Sequence, residues 1–343
     1  MKVIKPIWLT ICIATMLIVA LNVSAQVSYQ RILNAADEPG NWLTYNGGYS
    51  SQRYSRLDQL TPENVDQLQL QWTLQNQVFG AWQSNPIVDN GIMYITERPN
   101  DVMAVDAVTG RVFWLYRHRP ADNARVCCGA NNRGVAILDD KVFMGTLDAR
   151  LIALDAINGR PIWDIEVADV NLAYSVTMAP LVVKDKVIVG VGGGEYGIRG
   201  FIVAYDADTG GEAWRFYTIP GPDEPGGDTW PFTGVRERGG GGTWMTGSYD
   251  PELNLIYWGT GNPNPDYYGD DRLGDNLFTT SLVAIDADTG LLQWHYQFTP
   301  HDINDWDSNH VPVQADIMWE GRPRKVVMVA TRNGFFYVLD RVT

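Results

Sequence analysis

The segment TPHDINDWDSNHVP places three aspartates, Asp302, Asp305 and Asp307, within six residues. Carboxylates this close repel one another unless a cation or solvent lies between them. Oxygen ligands of this kind bind Ca²⁺ or a still harder trivalent ion. The spacing therefore predicts a cation site in this segment, and a solvated acidic loop is the alternative that the residues leave open.

A second feature with chemical potential is a pair of adjacent cysteines, Cys127 and Cys128, which are the only cysteines beyond Cys12. Neighbouring Cα atoms lie ~3.8 Å apart across a trans peptide, whereas ordinary disulfides span roughly 4.4–6.8 Å. A bridge between neighbours therefore strains its own peptide, and such strain persists mainly at functional sites. Taken alone, the pair is compatible with two unbridged small hydrophobic side chains or with a vicinal disulfide.

Three further polar candidates are ambiguous when each is considered alone. Glu195 follows a glycine run in VGVGGGEYGIRG, where the backbone can approach a ligand closely and the carboxylate can bind a metal. The alternative for Glu195 is a solvated side chain on a glycine-rich turn. Asn262 in WGTGNPNP is equally compatible with a turn cap. Arg332 precedes an Asn-Gly hairpin signal, which favours a surface position.

The elements that must position these residues form a repeat. Four segments each contain an alternating apolar strand, an Asp-x-x-(Thr/Asn)-Gly turn and a second short strand with a tryptophan: VMAVDAVTGRVFW, LIALDAINGRPIW, FIVAYDADTGGEAW and SLVAIDADTGLLQW. Aspartate and glycine supply the local hydrogen bond and the positive φ of a tight hairpin. The four aspartates are 49, 51 and 80 residues apart, and a period of about 50 residues with several short strands is typical of a β-propeller. We therefore predict an all-β propeller whose tryptophans pack between blades.

The longest interval between repeats contains two irregular insertions, 219–242 and 263–279. Loops of this length inside a compact repeat are usually functional. Before the first repeat, LTPENVDQLQLQW is predicted to be a strand that enters the ring and ends at Trp72. FFYVLDRVT, at the other end of the chain, begins a fifth copy. Since a propeller closes to bury its last edge, we expect residues 26–343 to be a partial propeller whose C-terminal blades are missing.

Residues 1–25 have the features of a signal peptide. Lys2 and Lys5 precede an apolar run over 7–21, and small residues then lead to Ala25. We expect cleavage before Gln26 and export to a compartment in which disulfides persist. A retained membrane anchor is the alternative for this segment.

The composition excludes several classes of partner. The formal net charge of −14 at pH 7 disfavours binding to nucleic acid and to anionic lipid. No later apolar stretch is long enough to span a bilayer. We therefore predict no nucleic-acid partner, and membrane association is not indicated after cleavage of the signal peptide.

Taken together, these motifs resemble one family. From Asn41 to Thr343 the chain is similar to the pyrroloquinoline-quinone (PQQ) dependent alcohol dehydrogenases of the methanol and ethanol group, which are eight-bladed periplasmic quinoproteins. The resemblance rests on an ordered set of motifs: Cys-Cys with Arg five residues on, GGGEYGIRG, a Gly-rich TW followed by SYDPELNLIYWGTGN, PHD…DWD, and TRNG. It implies eight blades in the whole protein, of which this chain holds roughly the first half.

The resemblance also implies a role for each motif residue. The cofactor-binding residues would be Cys127, Cys128, Arg133, Thr177, Gly193, Gly194, Trp244 and Arg332, and the metal ligands would be Glu195, Asn262, Asp305 and Asp307. Cys127 and Cys128 would form a vicinal disulfide against one face of the quinone, with the Trp244 indole on the other. Asp305 would also be the catalytic base.

The implied metal is a lanthanide or Ca²⁺. Asp307 lies two residues after Asp305, where the lanthanide-dependent members of the family carry an extra aspartate. Because a further anionic ligand compensates a trivalent ion better than it compensates Ca²⁺, we favour the lanthanide. Two positions depart from the family pattern: Gln83 stands where relatives often carry Glu, and Gly242 replaces a Thr that contacts the cofactor.

The function implied by the resemblance is periplasmic oxidation of a primary alcohol to an aldehyde. A hydride would pass to metal-activated PQQ while Asp305 acts as general base, and a separate or C-terminal cytochrome c would accept the electrons. The alternatives are a non-enzymatic periplasmic propeller scaffold and an inactive, truncated quinoprotein. A scaffold has no need of adjacent cysteines, a glycine-rich Glu195 loop or the aspartate cluster.

Overall fold

The computed structural model describes residues 26–76, 78–232 and 234–343. The predicted signal peptide, residues 1–25, lies outside this part of the chain. Helical structure among the described residues is limited to α1 (Tyr29–Leu33) and to short 3₁₀ turns at Ala35–Asp37, Val65–Gln67, Val170–Leu172, Gly194–Tyr196, Gly227–Thr229 and Arg236–Arg238. No helix in the described ranges has the length and apolarity to cross a membrane.

Five antiparallel sheets, or blades, make up the described part of the chain. Blade 1 contains β1 (Ile87–Asp89), β2 (Ile92–Glu97), β3 (Asp101–Asp106) and β4 (Val112–Arg117). Blade 2 contains β5 (Ala136–Leu138), β6 (Lys141–Gly145), β7 (Arg150–Asp155) and β8 (Pro161–Glu166). Blade 3 contains β9 (Leu181–Val183), β10 (Lys186–Gly190), β11 (Phe201–Asp206) and β12 (Glu212–Tyr217). Blade 4 contains β13 (Ser248–Asp250), β14 (Leu255–Gly259), β15 (Ser281–Asp286) and β16 (Leu292–Gln297). Blade 5 has three strands, β17 (Val313–Trp319), β18 (Arg322–Ala330) and β19 (Phe336–Asp340).

Burial along the strands accounts for their sequence pattern. The second and third strands of blades 2, 3 and 4 are covered on both faces and are almost continuously buried, as in β6 and β7. The fourth strand of blades 1 and 2 alternates between exposed and half-buried residues, as in β8. Covered strands therefore have near-continuous apolar runs, whereas the outer strand has the period of two that is expected for a half-covered sheet edge.

The repeat tryptophans join each blade to the next, as predicted. The indole N–H of Trp114 donates to the carbonyl of Ala156 at 3.0 Å, and that of Trp214 donates to the carbonyl of Ala287 at 3.0 Å. Each ring lies against the turn glycine of the following repeat. At Gly159, where φ is +72°, an added Cβ would lie 2.5 Å from the Trp114 ring. The turn glycine is therefore required both for its backbone conformation and for the space that the tryptophan occupies.

The predicted strand that ends at Trp72 is wrong. Residues 68–76 form no strand, although the Trp72 indole N–H still donates to the carbonyl of Ala107 at 3.1 Å. An extended segment becomes a strand only when a neighbour satisfies its backbone hydrogen bonds. The described residues supply no strand that pairs with this segment.

The N-terminal segment of the described chain crosses several blades. Val27 pairs with Asp139 of blade 2, and Trp42 pairs with Val88 of blade 1. Farther along, the carbonyl of Ser50 accepts from the N–H of Gln314 in blade 5 at 2.9 Å. A cavity of about 450 Å³ lies beside this segment and contains none of the predicted site residues.

Candidate cofactor and metal site

A second cavity, of about 280 Å³, is lined by the segments that precede the first strands of blades 2 to 5 and by the loops that join the second and third strands of blades 3 and 5. It brings together most of the predicted residues: Cys127, Cys128, Arg133, Thr177, Gly193, Glu195, Trp244, Asp305, Asp307 and Arg332. Gly129, Asn131, Ser175 and Gly192 complete its lining. Residues that are up to about 200 positions apart in the sequence meet here because the blades converge at their inner strands.

The adjacent cysteines form a disulfide, so that the alternative of two free thiols is wrong. Cys128 has a left-handed backbone conformation, with φ of +65°. The two sulfur atoms and a carboxylate oxygen of Glu195 lie within 4.8 Å of one another. Since bridged sulfurs carry no thiolate, this cluster is not a cysteine metal site, and the disulfide forms part of the cavity wall.

Arg133 is a half-buried cation at the cavity. Its Nη1 donates to the Thr177 hydroxyl at 2.9 Å and to the Thr177 carbonyl at 3.2 Å, and its guanidinium carbon lies 5.0 Å from the centre of the Trp244 ring. Burial lowers the pKa of Arg133. No carboxylate in the described ranges forms an ion pair with it. A desolvated guanidinium without an acidic partner favours an anionic ligand group.

Three carboxylates face the same cavity. Glu195 lies on a 3₁₀ turn, Gly194–Tyr196, that begins after Gly193, whose φ of +116° requires glycine. Desolvation within the cavity and the negative charges of nearby aspartates raise the pKa of Glu195, although its side chain remains accessible. Burial, with smaller contributions from Asp305 and Glu195, raises the pKa of Asp307 to about 7. A multivalent cation would relieve this crowding of negative charge.

Arg332 joins the cavity to the aspartate segment. Its Nη1 donates to the backbone carbonyl of Asp305 at 2.9 Å and lies 3.5 Å from Asp305 Oδ2 and 3.7 Å from Asp307 Oδ2. Asp305 itself has φ of +59°, a conformation that is costly for a residue with a Cβ and that clusters at functional sites. The contact with Arg332 holds this backbone in place. Arg332 is exposed, as its hairpin signal indicated, but it also lines the cavity and contacts the aspartate segment.

Two of the predicted site residues do not line the cavity. Asn262 is buried behind it, and its backbone N–H donates to Asp307 Oδ1 at 3.0 Å. Gly194 lies between the lining residues Gly193 and Glu195 at the start of the 3₁₀ turn. Of the positions that depart from the family pattern, Gln83 is exposed and lines no part of this cavity.

The structure adds two polar residues that the sequence analysis missed. Asp266 accepts from the Asn262 side chain at 2.8 Å, and burial, together with the charge of Asp305, raises the pKa of Asp266. The hydroxyl of Tyr267 lies 3.5 Å from Asp305 Oδ2. Both residues belong to the insertion 263–279, and the functional significance of long loops was the only sequence signal for them.

The chemistry of these donors fits the two groups that the family resemblance implies. Two guanidinium groups and a hydroxyl suit the carboxylate and carbonyl oxygens of a planar quinone. Carboxylates and a carboxamide are the oxygen ligands that hard cations prefer. An indole and a disulfide on the cavity wall provide apolar surface for a flat ring system.

Comparison with known proteins identifies the family of this chain. The family model for the PQQ glucose/ethanol/alcohol dehydrogenase β-propeller domain matches residues 42–343. The chain belongs to the PQQ-dependent alcohol dehydrogenase family. This membership confirms the resemblance and favours a quinoprotein over a non-enzymatic propeller scaffold.

Relatives within this alcohol dehydrogenase family match nearly the whole chain. Quinohemoprotein alcohol dehydrogenase ADH-IIG of Pseudomonas putida is 45% identical over 343 residues, which cover 94% of this chain and 47% of the relative. The solved structure of that enzyme superimposes with a TM-score of 0.89 at 44% identity and covers 94% of this chain and 49% of that one. A europium-containing methanol dehydrogenase superimposes with a TM-score of 0.87 at 37% identity, over 92% of this chain and 58% of that one. The chain thus spans about half the length of the curated relatives it matches.

Proposed function

We propose that the protein to which this chain belongs oxidises a primary alcohol to an aldehyde with PQQ and a bound cation in the 280 Å³ cavity. The observation that carries the proposal is the convergence of two guanidinium groups and three carboxylates on a cavity walled by a disulfide and an indole. Membership of the quinoprotein family supports PQQ as the cofactor.

The residues that would hold PQQ divide by chemistry. Cys127, Cys128 and Trp244 would contact its ring system, and Arg133, Thr177 and Arg332 would bind its anionic and carbonyl oxygens together with the backbone of Gly193 and Gly194. When bound, PQQ supplies a hydride acceptor for the alcohol carbon, and the cation supplies Lewis acidity. The anchoring of Arg133 by Thr177 means that its guanidinium is already positioned before the cofactor binds.

Asp305 is the proposed general base. Its carboxylate faces the cavity, where it would take the hydroxyl proton of the alcohol as the carbon–hydrogen bond breaks. Arg332 holds the Asp305 backbone, and Tyr267 lies 3.5 Å from its Oδ2. These contacts support a general base whose carboxylate is oriented by the protein rather than by the substrate.

Glu195, Asn262, Asp305 and Asp307 are the proposed cation ligands, and a lanthanide is favoured over Ca²⁺. Asp307 supports this preference because it adds an anionic oxygen to a desolvated site, and charge compensation of that kind benefits a trivalent ion more than a divalent one. The structural similarity to a europium-containing methanol dehydrogenase agrees with it.

We further propose that the protein acts in the periplasm after cleavage before Gln26, and that a cytochrome c accepts its electrons. The apolar segment at 7–21 supports export. Relatives named quinohemoproteins support a haem group as the electron acceptor, either in a separate protein or in a C-terminal domain.

Reconstitution tests these proposals. Apoprotein is incubated with PQQ and either Ca²⁺ or La³⁺ and desalted, and retained quinone absorbance and alcohol-dependent dye reduction are measured. We expect retention of PQQ and higher turnover with La³⁺. Asp305→Asn is expected to retain PQQ but to lose roughly 10²–10⁴-fold in turnover, whereas Asp58→Asn, a change at an exposed residue, leaves both unchanged. Failure to retain PQQ would contradict the proposal and favour an inactive quinoprotein; activity with Ca²⁺ alone would contradict the lanthanide preference.

A further inference from the structure

We propose that Asp266 is a positioning residue for the cation site, because its carboxylate holds the Asn262 carboxamide with the amide oxygen directed toward the cation. This inference rests on the proposed function, since Asn262 is one of the proposed cation ligands. Asp266 itself is assigned no contact with the cation.

The hydrogen bonds of the Asn262 side chain carry the argument. A carboxamide nitrogen has two N–H donors. One donates to Asp266 Oδ1 at 2.8 Å and the other to the carbonyl of Pro263 at 3.1 Å. Both donors are therefore used, and rotation of the amide by 180° would place its oxygen against two acceptors. The amide oxygen, which is the carboxamide atom that binds hard cations, is thus directed away from Asp266.

The backbone of Asn262 is fixed independently of this contact. Its N–H donates to Asp307 Oδ1 at 3.0 Å, and its carbonyl accepts from the N–H of Gly241 at 2.9 Å. The main chain therefore stays beside the cavity whatever the side chain does. Only the side-chain torsions of Asn262 remain free to change. The hydrogen bonds to Asp266 and Pro263 restrict these torsions, and the one to Asp266 is the shorter.

Asp266 is held in turn by the insertion that contains it. Arg272 is fully buried, and its Nη2 donates to the carbonyl of Pro265 at 2.9 Å and to the carbonyl of Asp302 at 2.6 Å. The residue before Asp266 is thereby tied to the segment that carries Asp305. The side chain that orients Asn262 and the proposed ligands Asp305 and Asp307 are therefore parts of one connected framework.

Terbium binding provides a readout that does not depend on turnover. Apoprotein with one equivalent of PQQ is titrated with Tb³⁺, and luminescence lifetimes in H₂O and D₂O give the number of water molecules on the ion. The variants are Asp266→Ala, Asp266→Asn, Asn262→Ala and the double variant Asn262→Ala/Asp266→Ala. Asp270→Ala is the matched control, because it removes an exposed carboxylate from the same insertion.

We expect Asp266→Ala to weaken Tb³⁺ binding roughly 10–100-fold, as is typical when a partner of a metal ligand is removed, and to add about one water molecule to the ion as the Asn262 oxygen is lost. Asn262→Ala should have the same effect, and the double variant should be no weaker than Asn262→Ala alone. Asp266→Asn keeps an acceptor oxygen and should restore most of the affinity. Asp270→Ala should bind as the wild type does.

Three results would overturn the proposal. Wild-type affinity and hydration in Asp266→Ala would show that Asn262 needs no such support. A double variant that is weaker than Asn262→Ala by the full effect of Asp266→Ala would show that Asp266 acts directly on the cation. The absence of Tb³⁺ binding in the wild type would instead remove the cation site of the proposed function, and the role of Asp266 with it.

Discussion

Arg272 offers the sharpest test of how the fold supports the site. It is fully buried and makes three hydrogen bonds of 2.6–2.9 Å, to the carbonyls of Pro265 and Asp302 and to the side-chain oxygen of Asn276. Arg272→Met keeps an unbranched, apolar stem in the buried position but removes all of these donors. We expect the insertion 263–279 to detach from the aspartate segment while the blades remain folded.

The magnitude follows from the acceptors that lose their partner. A buried acceptor without a donor costs about 1–3 kcal/mol, so three acceptors account for roughly 3–9 kcal/mol. Part of this cost is offset because Met does not require desolvation of a guanidinium, the same desolvation that lowers the pKa of Arg272. We therefore expect local opening of the insertion to become easier by about 3 kcal/mol, or roughly 100-fold in its opening equilibrium.

Hydrogen exchange measured by mass spectrometry is the appropriate assay, because it reports opening segment by segment. Peptides that cover 263–279 and 301–307 should exchange roughly 100-fold faster in Arg272→Met, while those from β6 and β7 should be unchanged. Arg322→Met, at an exposed arginine of β18, is the control. Unchanged exchange in the insertion, or a uniform increase across all blades, would refute a local role for Arg272.

Three further predictions concern stability, measured by urea denaturation. Trp214→Phe removes an indole N–H that bonds to the next blade at 3.0 Å and should lower the free energy of unfolding by about 1–2 kcal/mol. Gly190→Ala would place a Cβ 2.2 Å from the backbone carbonyl oxygen of Thr243. It should lower the free energy of unfolding by about 1–3 kcal/mol or more, because Gly190 and Thr243 are both buried and the clash can be relieved only by moving main chain. Burial alone would raise the pKa of Asp148, but hydrogen bonds, led by that of His118, lower it to about 2. The stabilisation that the ionised Asp148 gives the folded protein is therefore present above pH ~4 and lost as the pH falls toward 2. Asp148→Asn should lower the free energy of unfolding by about 2 kcal/mol and remove this part of its acid dependence.

Each of these variants has a control with the same chemical change in a different environment. Trp319→Phe alters a half-exposed indole, and Gly48→Ala adds a methyl where no atom lies within 4 Å. Asp122→Asn neutralises an exposed carboxylate. Equal effects in a variant and its control would contradict the contact proposed for that variant. For Asp148→Asn, an acid dependence identical to that of the wild type would also contradict it.

The repeat made much of the fold predictable. The spacing of Asp106, Asp155 and Asp206 and the tryptophan after each turn are local signals, and each reports a hairpin that forms in the same way in blades 1 to 3. The segment before Trp72 could not be predicted in this way, because an alternating pattern becomes a strand only where a partner strand exists. Family membership was likewise readable from the order of the motifs along the chain.

The site was predictable only in part. Sequence motifs identified most of the side chains that line the cavity, because each motif carries an unusual residue type, such as adjacent cysteines or closely spaced aspartates. Asp266 and Arg272 carry no such signal, since an aspartate and an arginine in a polar loop are ordinary surface residues by type. Their burial and hydrogen bonds depend on the packing of an insertion in blade 4 against the segment before blade 5.

The amino-acid sequence by itself determined the β-propeller, the docking tryptophans and the identity of the residues that we propose to bind a quinone and a cation. These properties depend on residue type and spacing, which are local. Tertiary structure alone decided that Arg332 contacts Asp305, and that Asp266 and Arg272 hold Asn262 and the aspartates in one framework. Those properties depend on distances between segments, which are set when neighbouring blades pack and water is removed from the polar groups between them.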